Sequence, residues 1–315
     1  VAHEIAKVKG QYSFAYTGET PWHGLGQKLP EGSGVDTWAK PAGMDFTICS
    51  AKALFVGVEK ATGQLKGKRI LYRDDTNVGL SIVSDRFKVV QPKEILEFFE
   101  TYTEGLAVME TAGVLFQGKR YFALARINEV EGLDLGGDKT LPYLLLSSSC
   151  DGTMATRAQL TSVRVVCNNT LTVASKIRGN EVMVRHSSTF DAGVVKMQLE
   201  DLREDFKAFG ETMRALANVR LTVGQARDFL LSLEIPTPDK LSTGEEKILQ
   251  LFSGKGVGSE LESAKETAYG LVQAATEYYD HHAGRLQDNR VSSSWFGENG
   301  KKKAELMQEI ALTFI

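Results

Sequence analysis

Short apolar runs separated by turn residues fill the first half of the chain. Residues 53–58, 69–73 and 80–83 are such runs, with Thr62-Gly63 and Asp74-Asp75-Thr76-Asn77 between them. This spacing predicts an antiparallel meander. Gln91-Pro92-Lys93 then opens a predicted helix with Ile95, Leu96, Phe98 and Phe99 on one face. Proline suits a first helical turn, where its missing N–H had no partner. Two hairpins follow. Residues 113–116 and 121–125 are joined through 117–120, and residues 143–150 meet 153–160 across Asp151-Gly152. Asp-Gly between strands is a strong signal for a two-residue turn, whose central residues need positive φ. In the second arm Met154, Thr156, Ala158 and Leu160 alternate with Ala155, Arg157 and Gln159, and so face opposite ways.

The period then lengthens. Val163, Val166, Cys167, Thr170, Leu171, Ala174 and Ile177 recur at helical spacing. They predict an amphipathic helix capped by Thr161 or Ser162 and lying across the hairpins. Its polar face would carry Arg164, Asn168, Thr172, Ser175 and Lys176. Residues 182–186 add a short strand. From residue 191 the pattern is helical over 195–216, 223–233, 260–283 and 301–312. Pro236, Pro238 and the run Gly254-Lys255-Gly256-Val257-Gly258 interrupt it. The expected fold class is α+β: an antiparallel hairpin-rich sheet with a packed amphipathic helix, then a helical C-terminal part. The expected units are a β-rich core over residues 1–190 and a helical region over 191–315.

The 315 residues are 42% hydrophobic and 24% charged, ordinary values for a folded soluble protein. No stretch has the apolar length needed to span a bilayer, and the opening Val1-Ala2-His3-Glu4 does not resemble a secretory leader. Cys49, Cys150 and Cys167 are widely spaced and include no C-x-x-C pair. That suits reduced thiols in a cytoplasm better than a disulfide framework or a zinc knuckle. The net charge of -3 gives no general attraction to nucleic acid, so contact with phosphate needs a local patch.

No convincing catalytic set emerges, and no cofactor or metal is expected. The string Pro21-Trp22-His23-Gly24-Leu25-Gly26 reads either as a ligand loop or as an entry loop whose tryptophan plugs the core. The triple-glycine run lacks the Lys-Ser or Lys-Thr of a phosphate loop and follows a helix, which makes it a joint. Asp280-His281-His282 cannot chelate as an i, i+4 pair does, because adjacent helical residues point about 100° apart. Cys167 falls on the apolar side of its segment, as an inert thiol would.

One basic cluster stands out. Arg157, Arg164, Lys176, Arg178 and Arg185, with His186 beside them, are opposed between residues 151 and 190 only by Asp151 and Glu181. Asn168 and Asn169 add neutral hydrogen-bonding groups. Cations on neighbouring polar faces of a strand and a helix would form a groove that follows a phosphate backbone and leaves the bases open. The competing reading is a solvated face balanced by acidic loops.

The same stretch carries a resemblance. Thr161-Ser162-Val163-Arg164-Val165-Val166-Cys167-Asn168-Asn169-Thr170-Leu171 resembles the core signature of the phage/plasmid-like protein family, domain of unknown function 932. Pro21 to Gly26, Ala42-Gly43-Met44-Asp45-Phe46, Tyr72-Arg73-Asp74-Asp75, Tyr143-Leu144-Leu145-Leu146, Asp151-Gly152, Arg185-His186 and Thr276-Glu277-Tyr278-Tyr279-Asp280-His281 fit as well. Phe46 stands where the family pattern has Trp, and Ser162 where it has Pro. The resemblance implies a mobile-element setting and no established activity. Such proteins resemble, at the level of fold, the single-strand annealing proteins of phages (the RecT, Red-beta and Erf group). That kinship implies rings or filaments holding single-stranded DNA in a basic groove. The expectation is therefore a homo-oligomer that binds single-stranded DNA without cofactor or membrane. In it Arg157, Arg164, Lys176, Arg178, Arg185 and His186 would meet phosphates, and Asn168 and Asn169 backbone or base edges. The alternative is a module that contacts a host replication or defence protein.

Overall fold

The computed structural model describes residues 5–8, 10–18, 20–21, 24–102, 107–128, 130–164, 169–172, 181–187, 202–233, 238–284, 293–295 and 297–315. The N-terminal strands are β1 (Lys7–Val8), β2 (Gln11–Tyr12), β3 (Phe14–Tyr16) and β4 (Gln27–Lys28). Helix α1 (Val35–Ala39) precedes the meander β5 (Ile48–Val56), β6 (Thr62–Arg73) and β7 (Gly79–Ser84). Helix α2 (Pro92–Tyr102) leads into β8 (Ala107–Leu115), β9 (Arg120–Ile127), β10 (Leu133–Leu135), β11 (Asp138–Ser149) and β12 (Thr156–Arg164). The short strands β13 (Asn169–Thr172) and β14 (Glu181–Val184) close the sheet. The helices α3 (Leu202–Asn218), α4 (Val223–Ser232), α5 (Thr243–Gln250), α6 (Ala268–Glu277) and α7 (Glu298–Phe314) follow. The α+β class is therefore as the sequence predicts. Among the described residues no helix is long and apolar enough to cross a membrane.

The central sheet runs β13-β12-β11-β9-β8-β3-β4, with β10 also on β11 and β14 also on β12. Among the described residues only the β3–β4 pairing of this sheet is parallel. Cross-strand partners share a face, and successive residues alternate. Ser147 sits between Phe122 and Arg157, which puts Phe122, Leu124, Tyr143, Leu145 and Arg157 on one face. Tyr121, Ala123, Ala125, Leu144, Leu146 and Ala158 are on the other. Both faces are buried along the centre of β11. The second face packs beneath α2 and the meander through Ile95, Leu96, Phe98, Phe99 and Leu71. On the first face Phe122 meets Phe14 and, edge to face, Trp295.

The meander is fastened to this sheet by Arg73, which is 2% exposed. Its guanidinium lies 3.8 Å over the Phe46 ring and grips Asp75 with two bonds of 2.9 and 2.7 Å. It also donates to the Gln117 carbonyl at 3.3 Å, in the turn between β8 and β9. The hydrogen bonds from Arg73 hold the Asp75 carboxyl below its usual range.

The hairpin of residues 143–160 forms with a wider turn than expected. Its strands end at Ser149 and Thr156, and Asp151 Oδ1 accepts from the Thr153 backbone N–H at 3.0 Å and hydroxyl at 2.5 Å. That side-chain turn takes over from the two-residue type, with Gly152 at φ +75°. The helix expected over 163–177 is corrected. Residues up to Arg164 belong to β12, and Asn169–Thr172 returns beside it as a strand, with Arg164 opposite Asn169 and Thr161 opposite Thr172. Thr161, Val163, Val165 and Val166 are β-branched and favour extended backbone, and tertiary pairing overrides the helical spacing of the apolar residues. The amphipathic helix packed on the sheet is instead α2.

Helices α4, α5 and α6 begin at side-chain-capped ends. Thr222 with Gln225 and Ser242 with Glu245 form reciprocal capping boxes, and Thr267 accepts from the Gly270 backbone. Residues 260–267 form turns, so the helix expected over 260–283 starts at Ala268. Leu133 and Leu160 of the sheet join Phe206, Met213, Leu230, Tyr269 and Ile310 in a second core. Where α6 winds into a wider turn at Tyr278–His282, Asp280 is 5% exposed. Lys303 of α7 donates to it at 2.5 Å and to Ser294 at 2.9 Å, and Ser294 also bonds Asp280. A buried pair of this kind is costly to break singly, because its partner stays desolvated. Lys303→Met is expected to lower stability by about 3–5 kcal/mol, seen as a shift of the urea midpoint.

Candidate nucleic-acid interface

The strand period decides which cations can act together. Arg157 of β12 shares its face with Arg120 of β9, since Arg157 pairs with Ser147, and Arg120 with Ser149, along β11. Two strand spacings separate β9 from β12, about 10 Å. Met183 of β14 lies opposite Arg157 and is 50% exposed, and the exposed Arg185 follows just after that strand. Arg120 donates to the Thr153 hydroxyl at 3.1 Å and lies 5.0 Å over the Phe116 ring, which orients its guanidinium. One end of the sheet therefore carries arginines from three chain segments. Thr153 and Ser149 lie among them. Arg120 was not among the residues singled out from sequence, because nothing in its neighbourhood reveals that β9 lies two strands from β12.

Arg164 and Asn169 are brought together as cross-strand partners. Arg164 lies seven positions after Arg157 in β12, so the two hold positions of opposite parity along one strand. The helix expected to carry Arg164 and Asn169 is thus corrected: Arg164 is the last residue of β12 and Asn169 the first of β13. Asn168, Lys176 and Arg178 lie outside the described residues.

A family model described as Domain of unknown function (DUF932) matches residues 79–302, more than half of the chain. The chain belongs to the DUF932 family. No curated protein and no solved structure matches it. In this DUF932 chain the matched span contains Arg120, Arg157, Arg164, Asn169, Arg185 and His186.

His186 has a different task from its arginine neighbours. Its Nδ1 lies 3.0 Å from the Lys88 carbonyl and its Nε2 2.9 Å from the Met154 carbonyl. The ring stacks on Phe87, with centroids 4.3 Å apart, and its own carbonyl accepts from the Lys88 N–H. The imidazole thus clasps three segments: the end of β14, the loop after β7 and the hairpin turn. That role holds the site together from within.

Other sequence candidates resolve as follows. Trp22 and His23 lie outside the described residues, as does Cys167. Trp295 is packed on Phe122. His282 Nε2 is 3.8 Å from Glu277, and no group of three or more metal-ligating side chains gathers among the described residues. In this DUF932 protein Cys150 closes β11 beneath the hairpin turn. Burial, and then the Asp151 charge, push its thiol up to about 12.

Two outcomes follow for this region. His186→Ala is expected to cost about 1–2 kcal/mol, through the lost ring bonds and stacking, measured by thermal or urea unfolding. Native protein treated with iodoacetamide near neutral pH is expected to leave Cys150 unlabelled by peptide mapping, and unfolding to expose it, because only the thiolate reacts.

Proposed function

We propose that this DUF932 protein binds single-stranded DNA and assists strand annealing in recombination, as an assembly of several copies in the cytoplasm of a host that carries a phage or plasmid. The observation that carries the reading is the arginine group of Arg120, Arg157 and Arg185 at one end of the central sheet. Guanidinium groups form forked bonds to phosphate, and an array of them follows a backbone without reading bases. Annealing makes and breaks only base pairs. It requires electrostatic guidance and open base edges, and no nucleophile or general base. Distant kinship with the phage annealing proteins belongs to this reading as well. Arg164, Asn169, Lys176 and Arg178 belong to this reading as further contacts to the strand.

The alternative, a surface for a host replication or defence protein, is favoured by a separate observation. The tip of the β5–β6 hairpin exposes Leu54, Phe55, Val56 and Val58.

Fluorescence anisotropy with a labelled single-stranded oligonucleotide and its duplex, across a salt series, tests the proposal. Binding is expected to favour the single strand and to weaken steeply with salt. Replacing Arg120, Arg157 and Arg185 together by Ala is expected to flatten the slope of log affinity against log salt by about 2, given about 0.7 per phosphate contact on single strands. Equal affinity and slope in the triple variant would remove this face from the reading. Absence of binding at low salt would remove nucleic acid altogether.

A further inference from the structure

The hairpin of β5 and β6 extends well beyond the support of its sheet. β7 pairs with β6 only from Lys68 to Tyr72, while β5 and β6 pair on out to Val56 and Thr62. Beyond Lys68 the arm is two-stranded, with a tip at Val58–Lys60. A two-stranded ribbon is marginally stable in water unless something packs on it. Its ordering is partly internal, since the Phe55 ring lies across Gly63, where an added Cβ would come within 2.4 Å. Its apolar side chains are nonetheless open to solvent: Leu54 is 56% exposed, Phe55 54%, Val56 73%, Val58 89% and Leu65 45%. Exposed apolar side chains gathered on both faces of so narrow an arm mark a contact surface.

Charge narrows the choice of occupant. The arm's exposed ionic side chains include Lys52, Lys60, Lys66 and Lys68. A complementary surface lies on the same chain, at the far end of α7. There Glu309 is exposed, as is Glu305, which pairs with Lys301 at 3.5 Å, and the two lead along the helix to Leu312, 80% exposed. The spacing from Glu305 to Glu309 to Leu312 keeps all three on one helical face. This surface is apolar at its end and acidic along its side; the arm is apolar at its tip and cationic along its strands.

We propose that the β5–β6 arm of one copy docks on the C-terminal end of α7 in a second copy. Arm and dock are different surfaces, so the contact is heterologous and propagates head to tail into a ring or a filament. This inference rests on the multi-copy assembly of the reading above and not on its nucleic acid.

Sedimentation velocity of the full chain without DNA, at moderate salt and over a range of concentrations, tests it. Wild type is expected to self-associate. Phe55→Ser with Val56→Ser, both at exposed positions, is expected to weaken association about thirtyfold with an unchanged thermal midpoint. Lys60→Glu with Lys66→Glu is expected to dissociate the assembly, and adding Glu305→Lys with Glu309→Lys to restore it. A wild type that stays monomeric at high concentration overturns the proposal, as does an assembly indifferent to the arm variants. Loss on arm reversal without rescue by helix reversal overturns the dock on α7. Because the experiment contains no DNA, its failure leaves the anisotropy result to decide the nucleic-acid reading separately.

Discussion

From Pro142 to Ser149 the longest strand of the central sheet gives neither of its faces to water, and the layers around it are arranged to cover both. From Tyr143 onward its residues are buried without a break. A slip of one residue would exchange the two faces wholesale, so the register must be fixed tightly. The apolar alternation of Tyr143 to Leu146 does part of this. The serines that follow do the rest: Ser148 bonds Thr156, and Ser149 both donates to the Met154 carbonyl and accepts from its N–H. Small hydroxyl side chains leave room for elements to approach, while their bonds, unavailable in any other register, make misalignment costly.

Two faces imply two sets of partners. Beneath one lie α2 and the meander, and farther along that same face lie the C-terminal helices, reached through Leu133 and Leu160. Ile127 touches both groups, so the two cores meet along this face. The other face is covered near Phe14 and Phe122 by Trp295. Arg120 and Arg157 stand on this second face, toward the hairpin turn, where the apolar cover gives way to polar side chains.

Much of this was legible from spacing. The meander, α2, both hairpins and most of the later helices follow from local pattern, since each pairs or packs with sequence neighbours. The stretch after Leu160 was misread because a strand with both sides covered loses its alternation, and its apolar residues can then fall by chance at helical intervals. The β-branched content of Thr161, Val163, Val165 and Val166 was the signal against a helix. That single change of period separated Arg164 from Arg157. The joining of Arg120 to the arginine group depends on strand order, which no local pattern encodes. The dual bonding of the His186 ring depends on segments 32 and 98 residues away.

The outer edge of β12 has a further consequence. β13 and β14 run in the same direction along it, one opposite residues 161–164 and the other opposite 156–159. Between their pairings on β12 stands Leu160 alone, with Thr172 opposite Thr161 and Glu181 opposite Gln159, so the two amount to one edge strand cut in two. A continuous edge is a template for endless strand addition, but a divided one offers two short stubs out of step with any straight newcomer. The sheet is thereby capped by its own interruption. Growth by β-pairing is discouraged at this border.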